Sequence, residues 1–196
     1  MESHEIAGFR KEELTIDMAK AQLMSLIYFL PCAIILGLPF YFIWAVDYNL
    51  QTIIEMVPKG IGVGGTMFFI CVVLMGGIVL HELLHGVTFA FFAKHGIKSI
   101  KFGVMWAFLT PYCHCKEPLL VKHYILGALT PGLVMGIIPM VLALITGNLF
   151  VFAFGLFFTL AAGGDFMMVN LLRNVDFNVL VQDHPSKIGC YIYTPV

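Results

Sequence analysis

At 196 residues the chain has room for one domain or one compact bundle. It is 60% hydrophobic and 12% charged, against roughly 25% charged in a soluble domain, and its mean hydropathy of +0.92 marks an integral membrane protein. A net charge of −1, with no basic face and no nucleic-acid motif, excludes a nucleic-acid partner.

Residues 1–20 mix acidic and basic side chains, unlike the n-region of a signal peptide. The apolar run behind them is too long for an h-region, so this cytosolic N-terminal segment is expected to be retained. It is expected to form a short cytosolic or interfacial helix, with Lys11, Glu12, Glu13, Asp17 and Lys20 on its wet face. Residues 22–46 hold no charge, and at 1.5 Å per residue they extend about 37 Å, enough to span a bilayer with some tilt. Pro31 and Pro39 should kink this span. A polar connection from Asp47 to Lys59 leads to a second span over 61–93, whose only formal charge is Glu82. There Gly76-Gly77 offers a neighbouring helix close approach.

Residues 94–122 carry five lysines. Within them Ile100 to Leu109 alternates apolar side chains and is expected to be an extended strand ended by Thr110-Pro111. A third span follows over 123–146, softened by Pro131-Gly132 and Pro139. Gly147-Asn148 makes a tight turn into a fourth span over 149–172, in which Asp165 is the only charge. The tail, 173–196, contains a strand-like stretch from Ile188 to Tyr193. The expected fold is a single all-α membrane domain over 1–196: four transmembrane helices and a short cytosolic-side β segment.

With four spans, the N-terminus, the 94–122 segment and the tail share one side, which then holds ten of the eleven basic residues; Lys59 alone lies opposite. The positive-inside rule puts both termini in the cytosol. Cys113, Cys115 and Cys190 are then cytosolic and reduced, and Cys32 and Cys71 are packing residues in apolar spans.

Chemistry concentrates at His81-Glu82-Leu83-Leu84-His85-Gly86. On a helix His81 and His85 lie one turn apart on one face, within reach of a single ion, and Glu82 stands beside it as a general base. About 0.015 such motifs are expected by chance in a chain of this composition. Charges inside a membrane are expensive and mark function. Glu82 and Asp165 are the two here, and His85 and Asp165 lie at matched depth, about 12–14 Å from the basic edge. A catalytic zinc takes three protein ligands and an open position. Asp165 is the expected third ligand, because Thr88 and Phe91 exclude an extended Gly-x-x-His motif. His114 and His123 are the alternatives. Cys113-His114-Cys115 has no second ligand pair at zinc-finger spacing and is expected to be a structural loop.

The motif near the cytosolic end of one span, followed two spans later by an intramembrane Asp, resembles the site-2 proteases, intramembrane zinc metalloproteases. The chain is more similar still to a family of small bacterial membrane proteins described as zincin peptidases, a domain of unknown function. That resemblance rests on His81 to Gly86, Tyr112 to Pro118, Leu129-Thr130-Pro131-Gly132 and Gly163-Gly164-Asp165. It implies His81, His85 and Asp165 as ligands of Zn²⁺ and Glu82 as base. It further implies a site-2-protease-like core of three helices with the first span accessory, in a bacterial inner membrane. Phe166 stands where site-2 proteases carry Gly after the Asp, and Thr130-Pro131-Gly132 lacks their Asn.

The expected function is zinc-dependent hydrolysis of a peptide or membrane-protein substrate, with Ile100 to Leu109 as the strand that holds it. The rivals are a non-catalytic metal-binding membrane protein, such as a sensor or transporter component, and a structural four-span scaffold.

Overall fold

The computed structural model describes residues 8–106, 110–185 and 187–196. Helix α1 (Met18–Trp44) starts where the Asp17 carboxylate accepts a hydrogen bond from the Lys20 backbone N–H at 3.0 Å. Pro31 and Pro39 lie inside it without interrupting it. Its apolar side chains point in all directions, and Ile27, Ile34, Leu38 and Phe42 are exposed. A helix that is apolar all round and uncovered by protein belongs in lipid. The short helix α2 (Leu50–Glu55) leads to α3 (Gly62–Phe92), which is just as apolar over 31 residues.

Helices α4 (Val121–Pro131) and α5 (Ile138–Thr146) are joined by a π-helical segment, 132–137, into one 26-residue apolar rod. Pro131 and Pro139 bracket the π turn, and a residue that cannot donate a backbone hydrogen bond favours such a rearrangement. Gly147, at φ 71°, ends α5 in the left-handed conformation that glycine adopts freely. Helix α6 (Leu149–Ala161) then meets α7 (Gly163–Leu171) at a 41° bend. Among the described residues three helical rods are long and apolar enough to cross a membrane, and four if the bent pair counts as one span.

The β structure exceeds the sequence expectation. Strands β1 (Phe9–Thr15), β4 (Leu119–Leu120), β5 (Leu180–Asp183) and β6 (Gly189–Pro195) form an antiparallel sheet in the order β1-β6-β5-β4. Strands β2 (Ile100–Met105) and β3 (Thr110–Cys115) form a separate hairpin. Within the segment expected as an N-terminal helix, Phe9–Thr15 is therefore corrected to β1, while residues 1–7 fall outside the described residues. Its partner β6 lies at the far end of the chain, with Glu12 opposite Ile192, and Lys11 Nζ sits 3.6 Å from the centre of the Tyr191 ring. Such long-range pairing overrides the local charge pattern.

Two further expectations change. Thr110-Pro111 does not end the β structure but opens β3, with Pro111 opposite Val104, and Cys113-His114-Cys115 is strand rather than loop. The extended stretch is confirmed over Ile100–Met105, whereas 107–109 fall outside the described residues. It pairs with β3, and Cys190–Tyr193 belongs to β6, between β1 and β5.

Two cores hold these layers together. One gathers Phe89, Tyr124, Leu172, Val181 and Ile192 where α3, α4 and α7 meet the four-stranded sheet. The other joins α1, α5 and α6 through Phe40, Met140, Ala143 and Phe152, with Phe40 stacked on Phe152 at 4.2 Å. Of the paired glycines, Gly77 takes the close contact, since a Cβ there would lie 2.3 Å from the Phe158 ring, whereas Gly76 meets nothing within 4 Å. Because β1, β4, β5 and β6 share one sheet, the N-terminal segment, the end of the 94–122 connection and the tail lie together at one end of the helices.

Candidate metal centre

Three residues from two helices converge at that end. His81 and His85, one turn apart on α3, are buried, with their ring centroids 5.0 Å apart. Asp165 lies in the first turn of α7, where the partial positive charge of a helix N-terminus favours a carboxylate. The bend between α6 and α7 aims it. Gly163 sits against Ser25 of α1, and a Cβ there would come within 2.7 Å of the serine side chain. The first span thus helps to seat the helix that carries Asp165.

The carboxylate spans both imidazoles. His81 Nε2 lies 3.3 Å from Asp165 Oδ2, and His85 Nε2 lies 3.3 Å from Asp165 Oδ1. One nitrogen from each histidine and one carboxylate oxygen all fall within 4.8 Å of one another. His85 Nδ1 is 2.9 Å from the Gly127 carbonyl, which can only accept, so Nδ1 carries the proton and donates. Nε2 then faces Asp165 Oδ1, and either a proton or a metal cation between them satisfies both atoms. This outer hydrogen bond is also what orients a metal-bound histidine. His81 Nδ1 is the one buried side-chain polar atom without a partner among the described residues. Leaving it so costs about 1–3 kcal/mol, which bonding of a cation at Nε2 can offset. The nitrogen and oxygen donors match zinc.

Glu82 joins the two histidines and Asp165 in lining a cavity of about 250 Å³. The opposite wall comes from β3 through Pro111, Tyr112 and Cys113, and the Cys113 backbone N–H is directed at the Glu82 carboxylate. The hairpin is held there by Gly86, next to His85. A Cβ at Gly86 would lie 2.4 Å from the Phe102 ring and 3.3 Å from Ile100. The last residue of the motif is therefore the seat of β2.

The alternative ligands lie elsewhere. His114 Nδ1 is 3.5 Å from Asp183 Oδ2, and the His123 ring stacks on Phe92 at 4.0 Å. All five cysteines are free. Burial, with the Glu82 and Asp183 carboxylates adding to it, pushes the Cys113 thiol well above its ordinary range. Burial likewise lifts Cys115 to about 11 and Cys190 up to about 12. As thiols rather than thiolates, they are poor nucleophiles.

Sequence reasoning missed one pair at the cavity. The Tyr124 hydroxyl donates to Asp183 Oδ1 at 2.5 Å, and Asp183 Oδ2 accepts from the Cys115 backbone N–H at 3.1 Å. Both side chains line the cavity, and together they fasten α4 to β3 and β5. No spacing signal marked Tyr124, and Asp183 stands outside every apolar span.

Residues 74–180 match the model of a family described as "Putative zincin peptidase". No curated protein matches the chain, and no solved structure does.

Proposed function

The chain belongs to this zincin peptidase family, and on that premise we propose that it is a membrane-embedded zinc metalloprotease. His81, His85 and Asp165 hold the metal, and Glu82 is the general base. The observation that carries this reading is the convergence of two imidazole nitrogens on one carboxylate, with Glu82 on the wall of the same cavity.

A zinc ion held there supplies a Lewis acid that polarises the scissile carbonyl and makes water ionisable near neutral pH. Glu82 takes the proton of the attacking water and delivers it to the leaving amine as the peptide bond breaks. The Cys113 N–H holds its carboxylate toward the cavity. Asp165 and the Gly127 carbonyl keep the imidazoles in place. A non-catalytic metal-binding protein would have no use for Glu82 at this position.

A helical substrate hides its amides, so it must be drawn out as a strand before it is cut. The β2–β3 hairpin does this by strand addition. Of the stretch expected to hold substrate, Ile100 to Leu109, the described part is β2, while its partner β3 supplies the cavity wall. The basic residues flank the end that carries the sheet, and by the positive-inside rule this supports a cytosolic location for this end and both termini, in a bacterial inner membrane.

Glu82→Gln tests the proposal. The variant is expected to keep its zinc and to lose about 10²–10⁴-fold in the rate of peptide cleavage. Full activity in the zinc-loaded variant would sink the assignment.

A further inference from the structure

A second cavity, of about 180 Å³, lies between α3 and the hairpin. Glu82, Pro111 and Tyr112 line both cavities, so the two adjoin across the Glu82 carboxylate. The remaining walls are Val79 and Leu83 from α3 and Phe102 and Gly103 from β2. Apart from the Glu82 carboxylate and the Tyr112 hydroxyl, every lining side chain is hydrocarbon. Gly103 makes the shape possible. A Cβ there would lie 2.5 Å from the Tyr112 ring, so only glycine lets that ring fold across β2 and close the wall.

We infer that this cavity is a specificity pocket that takes one large apolar side chain of the substrate, from a residue beside the scissile bond. The inference rests on the peptidase reading above. Glu82 must stand next to the bond that breaks, and side chains of an extended strand alternate in direction. One residue flanking that bond therefore turns its side chain across Glu82, into this space. Aliphatic and aromatic side chains gain by burial there. A charged one would lose its hydration without a partner other than Glu82. Val79 and Leu83, one turn apart on α3, line this cavity and not the one that gathers the proposed metal ligands, so they are the specificity-determining residues.

The test uses the full chain, zinc-loaded and in lipid nanodiscs. The probes are peptides that differ at one position flanking the scissile bond: Ala, Leu, Phe or Lys. Binding is measured on Glu82→Gln, with and without Leu83→Phe or Val79→Phe, and cleavage is measured on the parent chain with the same two substitutions. The Leu and Phe peptides are expected to bind about 10- to 100-fold more tightly than the Ala and Lys peptides. Leu83→Phe or Val79→Phe is expected to erase that preference with zinc content unchanged. Cleavage by the parent chain with no preference at either flanking residue would overturn the pocket and leave the peptidase reading standing. Binding blind to the side chain, as when a lipid acyl chain fills the space, would also overturn it. Selective binding that Leu83→Phe abolishes, without cleavage by the parent chain, would keep the pocket and sink the peptidase reading.

Discussion

Replacing His85 or Asp165 by alanine is expected to take the purified protein from about one zinc per chain to nearly none. Asp165 reaches both histidines at once, with its two oxygens 3.3 Å from the two Nε2 atoms, so its loss removes a ligand and unlinks the other two. His85→Ala also leaves the Gly127 carbonyl without its donor. Loss of an outer-shell partner alone costs metal affinity about 10–100-fold, and loss of a ligand costs more. His114→Ala and His123→Ala are the matched controls and should keep full zinc, because those rings are engaged by Asp183 and Phe92. Elemental analysis of detergent-purified protein, gated on a monodisperse elution peak, reads the result. Retention of zinc by Asp165→Ala together with its loss from His114→Ala would move the third ligand to β3.

Gly127→Val is expected to be the most damaging single change away from the ligands. Gly127 faces the Phe89 ring so closely that a Cβ would lie 2.2 Å from it, and Phe89 in turn stacks on His85 at 5.9 Å. An added side chain must drive α3 and α4 apart or push Phe89 into the His85 ring. Overpacking of this kind costs about 1–3 kcal/mol and occasionally more. The same shift carries away the Gly127 carbonyl that orients His85, a further loss of about 1 kcal/mol. The thermal midpoint should therefore fall, and zinc should go with it. Phe89→Ala in the Gly127→Val background opens the space and should restore part of both, a coupling that a double-mutant cycle measures. A Gly127→Val protein with native stability and full zinc would show that the α3–α4 contact has room for a side chain at this position.

These two changes mark what a reader of the bare chain could and could not find. The long apolar helices, the His81–His85 pair and the lone charge of Asp165 follow from regularities within single helices: uncharged length, one-turn spacing and a single carboxylate in an apolar stretch. Gly127 carries no such mark, because its importance lies in the Phe89 ring 38 positions earlier. The same holds for β1, whose charged pattern suits a wet helix until Cys190 to Thr194 is placed beside it. Tyr124 and Asp183 meet through a hydrogen bond across 59 residues. Local periodicity records which face of an element is buried, and partners distant in sequence decide what that face meets. Glu82 was legible as a motif residue, but the second cavity behind it was not, since its far wall is built by the hairpin.

X-ray absorption at the zinc edge of the purified full-length protein probes the proposed centre most directly. Two imidazole nitrogens together with oxygen, and no sulfur, is the predicted first shell, and the imidazole signal should diminish in His85→Ala. A sulfur scatterer bound to the zinc would contradict the assignment, because it would place Cys113 or another thiol where Asp165 is assigned.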